Sequence, residues 1–170
     1  MSAQPSNAPC EPAPTSAQYL TFALGDELFA IPILAVQEIR GLENVSRIPR
    51  SRDDVLGVMS LRGVVVPVID LRRRLGLASS EQTATTVVIL VRVAAQPGNP
   101  MTVGCVVDAV SDVAHFADSA VRAAPGTCGS IDRHFLRGVV ESDGRLALLL
   151  DLALLLGAQE RTPAATGDAA

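Results

Sequence analysis

The sequence predicts a mostly β protein, two small barrel subdomains packed together with short helices. Three observations lead there. Apolar residues make up 48% of the 170 positions while aromatics make up 3%, so aliphatic and β-branched side chains must fill the core. Short apolar runs are separated by Gly, Pro and Asp turn signals along the chain. A set of glycines, aspartates and apolar residues also recurs at one fixed spacing, which marks two related units.

Residues 1–17 are rich in Ala, Pro, Ser and Gln, a composition that cannot bury enough surface to order itself. Residues 158–170 read the same way. A disordered N-terminal tail, a folded part over 18–157 and a flexible C-terminal tail are expected. Tyr19–Leu24 and Leu28–Ile31 flank Gly25-Asp26-Glu27, a hairpin signal. Two strands, Leu56–Leu61 and Val64–Ile69, then meet at the Arg62-Gly63 turn, where glycine supplies positive φ. Pro67 inside the second of them suggests an edge or a bulge. Asp70 stands as the N-cap of a short helix ending at Gly76. Thr85–Val93 and Met101–Val107 flank Gln96–Pro100, a further hairpin. Leu136–Glu141, the Asp143-Gly144 turn, Arg145–Leu150, the cap Asp151 and a helix ending at Gly157 then repeat the earlier plan.

The repeat is regular. Gly57, Gly63, Asp70 and Gly76 recur as Gly138, Gly144, Asp151 and Gly157, each 81 residues later. Upstream, Ala35–Ile39 resembles Ala109–Val113 at a spacing of 74. Each barrel would hold only about 60–70 residues, a size at which one core is marginal. The two are expected to pack on each other and leave an apolar groove along the seam, where partners would bind.

Composition excludes several functions. The net charge of −4 and pI near 5.1 give no basic face, and no aromatic platform is visible, so no nucleic-acid role is expected. Cys10, Cys105 and Cys128 form no C-x-x-C pair and read as incidental thiols of a reduced, cytoplasmic protein. No apolar leader precedes Cys10, and the Leu146–Leu156 run is too short to span a bilayer and carries Asp151, so direct membrane insertion is not expected. His115 and His134 lack metal-ligand spacing, no G-x-S-x-G elbow presents a nucleophile, and no glycine loop cradles phosphates. The expectation is no catalytic residue, no metal and no cofactor.

Two charged features remain. Arg72-Arg73-Arg74 on the short helix reads as a solvated face, with docking to an acidic partner as the alternative. Glu38 lies in the alternating strand Val36–Ile39 and Arg62 at a turn tip. They are either unrelated surface charges or part of a binding site, since an exposed pair stabilises a fold by only about 0–1 kcal/mol.

Tyr19–Ile33 (YLTFALGDELFAIPI), Val36–Arg40 (VQEIR), Gly57–Arg72 (GVMSLRGVVVPVIDLR) and Val107–Val113 (VDAVSDV) strongly resemble the CheW-like family of chemotaxis coupling proteins. The resemblance covers about 18–157. It departs at Ser60, where the family commonly has Asn, and fits less closely over Pro125–Asp132. It implies two intertwined, five-stranded SH3-like barrels with a hydrophobic junction. It also implies a non-catalytic adaptor in signal transduction, bridging the cytoplasmic tips of methyl-accepting chemotaxis receptors and the regulatory domain of the CheA histidine kinase in a two-component array. The same scaffold in a pilus, surface-sensing or second-messenger pathway is the alternative. Receptor-contact positions of the family fall on Val36, Glu38, Ile39, Gly57, Arg62, Val87 and Val113.

Overall fold

The computed structural model describes residues 16–78, 81–96, 99–126, 129 and 131–157. Ten strands run in chain order: β1 (Ser16–Leu24), β2 (Glu27–Pro32), β3 (Val36–Gly41), β4 (Val55–Leu61), β5 (Val64–Asp70), β6 (Val87–Gln96), β7 (Asn99–Val107), β8 (Ala109–Ala117), β9 (Leu136–Ser142) and β10 (Arg145–Leu150). Helix α1 (Leu71–Arg74) follows β5, and α2 (Leu152–Gly157) follows β10. β1 begins at Ser16, three residues before the expected strand start at Tyr19 and two before the expected folded part. The rest of the expected N-terminal tail, the expected C-terminal tail, Cys10, Cys128 and the Pro97-Gly98 tip lie outside the described residues. Among the described residues no helix is long and apolar enough to cross a membrane.

The strands form two sheets, ordered β8-β1-β2-β10-β9 and β3-β6-β7-β5-β4. The second is a central barrel made from one continuous stretch. The first is a terminal barrel assembled from both ends of the chain. Position by position the two orders are equivalent: β3 matches β8, β4 matches β9, β5 matches β10, and β6-β7 match β1-β2. Each has one parallel contact, β5 with β7 and β10 with β2. The chain leaving each first edge strand returns onto the opposite edge. Ser46 and Val58 exchange two 2.8 Å backbone hydrogen bonds, and Arg122 and Val139 exchange bonds of 2.9 and 2.8 Å.

Local chemistry explains these shared features. Arg62 and Gly63 have φ of 50° and 81°, and Asp143 and Gly144 have 50° and 75°. Two successive positive φ values make a two-residue type I′ turn, whose twist matches that of the strands it joins. A Cβ on Gly57 would lie 2.1 Å from the Ser46 carbonyl oxygen, and one on Gly138 would lie 2.5 Å from that of Arg122. The repeated glycines therefore make room for the returning chain. Asp70 Oδ1 accepts from Arg72 N–H at 3.0 Å and Asp151 Oδ1 accepts from Leu154 N–H at 3.1 Å, which satisfies helix-end donors. Pro67 pairs only with Val58 on β4, because the parallel contact to β7 begins at Val68, so its missing N–H leaves no gap in the ladder.

Burial alternates along the strands between three cores. Val88 and Leu90 point into the central barrel, while Ile89, Val91 and Val93 on the same strand point to the seam. Ala147 and Leu149 point into the terminal barrel, while Leu148 and Leu150 face the seam. Among the described residues the seam cluster holds 21 buried residues against seven and six in the barrel interiors. Each fully buried aliphatic or Phe side chain contributes about 1.5–3 kcal/mol. The seam is thus the principal hydrophobic core. This corrects the expectation of an open groove along it: the space is filled, and one depression bordered by both barrels is a rim cavity of about 220 Å3 lined by Pro32, Ala35, Val93, Arg137, Leu150 and Leu152 among others.

The triple arginine is likewise not a solvated face. Arg72 grips the Asp108 carboxylate through Nε and Nη2, and Asp108 Oδ2 also accepts from Gly25 N–H at 2.7 Å. That hydrogen-bonded pairing raises the Arg72 pKa and holds Asp108 below the usual carboxylate range, against the opposing effect of burial. Arg74, only 9% exposed, crosses the seam. It donates to the Leu155 carbonyl at 2.8 Å, lies 3.6 Å from Asp54 and sits over the Phe135 ring at 5.3 Å. Burial lowers its pKa. Arg73 donates to the Asp53 carbonyl at 3.0 Å and lies 3.6 Å from Asp70. The three arginines fasten α1 to its surroundings because each finds an acceptor that no local sequence pattern announces.

Candidate partner-docking site

Six of the seven family contact positions lie on the central barrel. Among the described residues β3 is an edge strand, paired only with β6. Its register slips at Gln37: Val36 faces Val91, and Glu38 faces Leu90. A bulge of this kind re-aims the side chains around it. Val36 is partly buried against the seam core, as is Val87, opposite Gly41 on β6. Ile39 is 43% exposed. Glu38 is held between two guanidiniums, Arg40 Nε at 2.7 Å and Arg62 Nη2 at 3.4 Å. Arg62 occupies the left-handed first position of its turn and is 80% exposed, so its charge is presented to solvent. Val64 and Val65, just beyond the turn, are exposed large apolar residues. An edge with free backbone groups, apolar side chains and an oriented ion pair offers what a protein partner needs.

Gly57 has a different character. It is buried on β4 with φ of 152° beneath the Ser46 carbonyl, so any influence on a partner passes through the backbone it accommodates.

Val113 lies on the terminal barrel, on the edge strand β8 that corresponds to β3. It is 40% exposed and is the repeat counterpart of Ile39, as Val110 is of Val36 and Asp112 of Glu38. The pairing with β1 slips between Val110 and Asp112, so Ser111 is bulged as Gln37 is. The side chains differ. Asp112 Oδ1 accepts from the N–H of Val113 at 2.7 Å, and its backbone exchanges two bonds with Thr21 Oγ1. The counterpart of Arg62 is Asp143, so the terminal barrel has two acids where the central barrel has an ion pair. Sequence reading missed Arg40 in this cluster; its i+2 spacing from Glu38 on one strand face was the available signal.

Among the described residues no three His, Cys, Asp or Glu side chains gather as a metal site. Cys105 is buried, and burial pushes its thiol pKa up to about 12, which keeps it protonated.

A family model described as the CheW-like domain matches residues 18–160. The chain is 35% identical over 147 residues to the chemotaxis protein CheW of Rhizobium meliloti, covering 86% of this chain and 92% of the relative. It is 38% identical over 143 residues to that of Klebsiella aerogenes, covering 84% and 83%. The crystal structure of the scaffolding protein TtCheW from Thermoanaerobacter tengcongensis superposes with a TM-score of 0.74 at 26% identity, over 83% of this chain and 92% of that one. With a matching family model across most of its length and relatives this similar over most of theirs, the chain belongs to the CheW-like family.

Proposed function

We propose that this chain is a non-catalytic coupling scaffold, cytoplasmic and joined to inner-membrane arrays only through its partners. It would hold the cytoplasmic tips of methyl-accepting chemotaxis receptors and the regulatory domain of a CheA-type histidine kinase in one assembly. The observation that carries this reading is the Glu38–Arg62 pair at 3.4 Å beside exposed Ile39 on an unpaired strand edge. An exposed pair adds about 0–1 kcal/mol to folding, so its geometry matters more for recognition than for stability. A receptor helical hairpin would lay apolar side chains along Val36, Ile39, Val87 and Val113, with Glu38 and Arg62 setting its direction. Gly57 would shape the backbone behind them. Because the seam is filled, the partner docks across the barrel edges and the seam's rim. The kinase would take a separate barrel surface, and repetition in an array strengthens contacts that are individually weak.

The test is Glu38→Lys. Its melting temperature should match the parent within about 0–1 kcal/mol of stability, while co-sedimentation with receptor-bearing membranes falls. An unfolded variant would move Glu38 to the fold, and undiminished co-sedimentation would remove it from the receptor site.

A further inference from the structure

All 14 formal cations of this acidic chain are arginines; it has no lysine. Four of them, Arg47, Arg50, Arg52 and Arg73, line one depression of about 310 Å3 on the central barrel. Three come from the chain between β3 and β4, and the fourth from α1. Arg52 lies 3.1 Å from Asp54, and Arg73 lies 3.6 Å from Asp70. Among the described residues Arg47 and Arg50 have no carboxylate within ion-pair distance. The one carboxylate side chain lining the depression is Asp53. A chain of net charge −4 thus gathers unneutralised positive charge at one place.

Arg50 is also held at φ 59°, directly after Pro49. A left-handed backbone at a residue other than Gly, Asn or Asp is uncommon, and such conformations concentrate at binding sites. It projects a charged side chain from a position where glycine or asparagine would sit more easily.

We propose that this depression binds a phosphate-bearing anion, with Arg47 and Arg50 as its principal contacts and Arg52 and Arg73 completing the charge. Guanidinium forks match phosphate oxygens two at a time, and several forks lining one depression favour a polyanion over a single carboxylate. A volume of about 310 Å3 leaves room for a diphosphate. The phosphate could be carried by a soluble ion or by a lipid headgroup, and both present the same chemistry to the arginines. This inference does not depend on the coupling role.

The intact protein is titrated with sodium pyrophosphate at constant ionic strength, by calorimetry and by thermal melting, alongside the Arg47→Gln/Arg50→Asn double variant. Asparagine suits the left-handed position, so the variant should melt at the parent's temperature without ligand. The expected result is saturable one-site binding, a melting temperature that rises with ligand, and affinity about tenfold or more weaker in the variant. Co-sedimentation with phosphatidic acid vesicles, lost in the variant and without pyrophosphate binding, would support the site with lipid as its source. Equal binding by parent and variant, binding to neither probe, or tighter binding of polyglutamate than of pyrophosphate would overturn it.

Discussion

The central and terminal barrels meet the same backbone problems in the same way and then diverge in their side chains. Both have a bulge in the first edge strand, at Gln37 and Ser111, and both have a second register slip, between Val55 and Gly57 and between Leu149 and Leu150. Both close a hairpin with a positive-φ pair, Arg62-Gly63 and Asp143-Gly144. Both tie the residue just before the hairpin's first strand to the helix cap, through Asp70 N–H to the Asp54 carbonyl and Asp151 N–H to the Phe135 carbonyl, each at 2.8 Å. Against this shared frame, α1 carries Arg72, Arg73 and Arg74 where α2 carries Ala153, Leu154 and Leu155. The turn tip carries Arg62 in one barrel and Asp143 in the other. Backbone geometry is what the two copies keep; charge is what distinguishes them, and charge is what a partner can read.

The sharpest way to break the backbone half of the comparison is at the paired glycines. Gly57→Ala should cost roughly 3–5 kcal/mol, because its Cβ meets a backbone oxygen at 2.1 Å and its φ of 152° disfavours any side chain. Gly138→Ala should cost less, about 2–4 kcal/mol, with its nearest backbone oxygen at 2.5 Å. Urea midpoints measure both; a neutral substitution at either would dissolve the close-approach explanation.

Arg74 tests the divergence. Arg74→Met should destabilise by about 2–3 kcal/mol, since it strips a partner from buried Asp54 and leaves the Leu155 carbonyl without its donor, while Arg52 still faces Asp54. The loss should appear as one cooperative unfolding step. Two separate steps would mean that the seam does not join the barrels into one folding unit.

A smaller effect separates the caps. Asp70→Ala should cost about 0.5–2 kcal/mol, with Asp151→Ala toward the lower end, because Asp70 also lies 3.6 Å from Arg73. Thermal melts compare them, and an unchanged midpoint for Asp70→Ala would remove its capping role.

The smallest effect is read against pH. Asp108 has a depressed folded-state pKa, so its contribution is complete above the ordinary carboxylate value of about 4 and is lost as pH falls through the lowered one. Asp108→Asn should flatten the acid limb of the stability profile. An acid limb as steep as the parent's would assign it to other carboxylates.

Much of the frame is legible in the residues because its causes are local. A type I′ turn needs positive φ at two adjacent positions, and Arg62-Gly63 and Asp143-Gly144 announce it. A cap needs one short acid before a helix, and Asp70 and Asp151 supply it. Gly57 and Gly138 were visible as a repeated pair, but their reason, a carbonyl from a segment some ten or more residues upstream, was not. The arginines depart from the solvated face their local pattern predicts for a related cause. Arg72 and Arg74 find Asp108 and the Leu155 carbonyl, which lie 36 and 81 residues away. At the proposed docking edge, Glu38 and Arg62 can each be singled out in the sequence, but their contact depends on the closing of a barrel around them.

From the chain alone came the strand-rich composition, the repeat at a spacing of 81 residues, the turns, the caps and the two charges worth watching. These follow from conformational preferences that act over a few residues. Tertiary structure decided that both chain ends build one barrel, that the seam is the main core rather than an open groove, and that Arg72 and Arg74 are largely buried against distant partners. Each of these depends on which distant surfaces bury one another, and apolar burial is non-directional, so no local pattern specifies it.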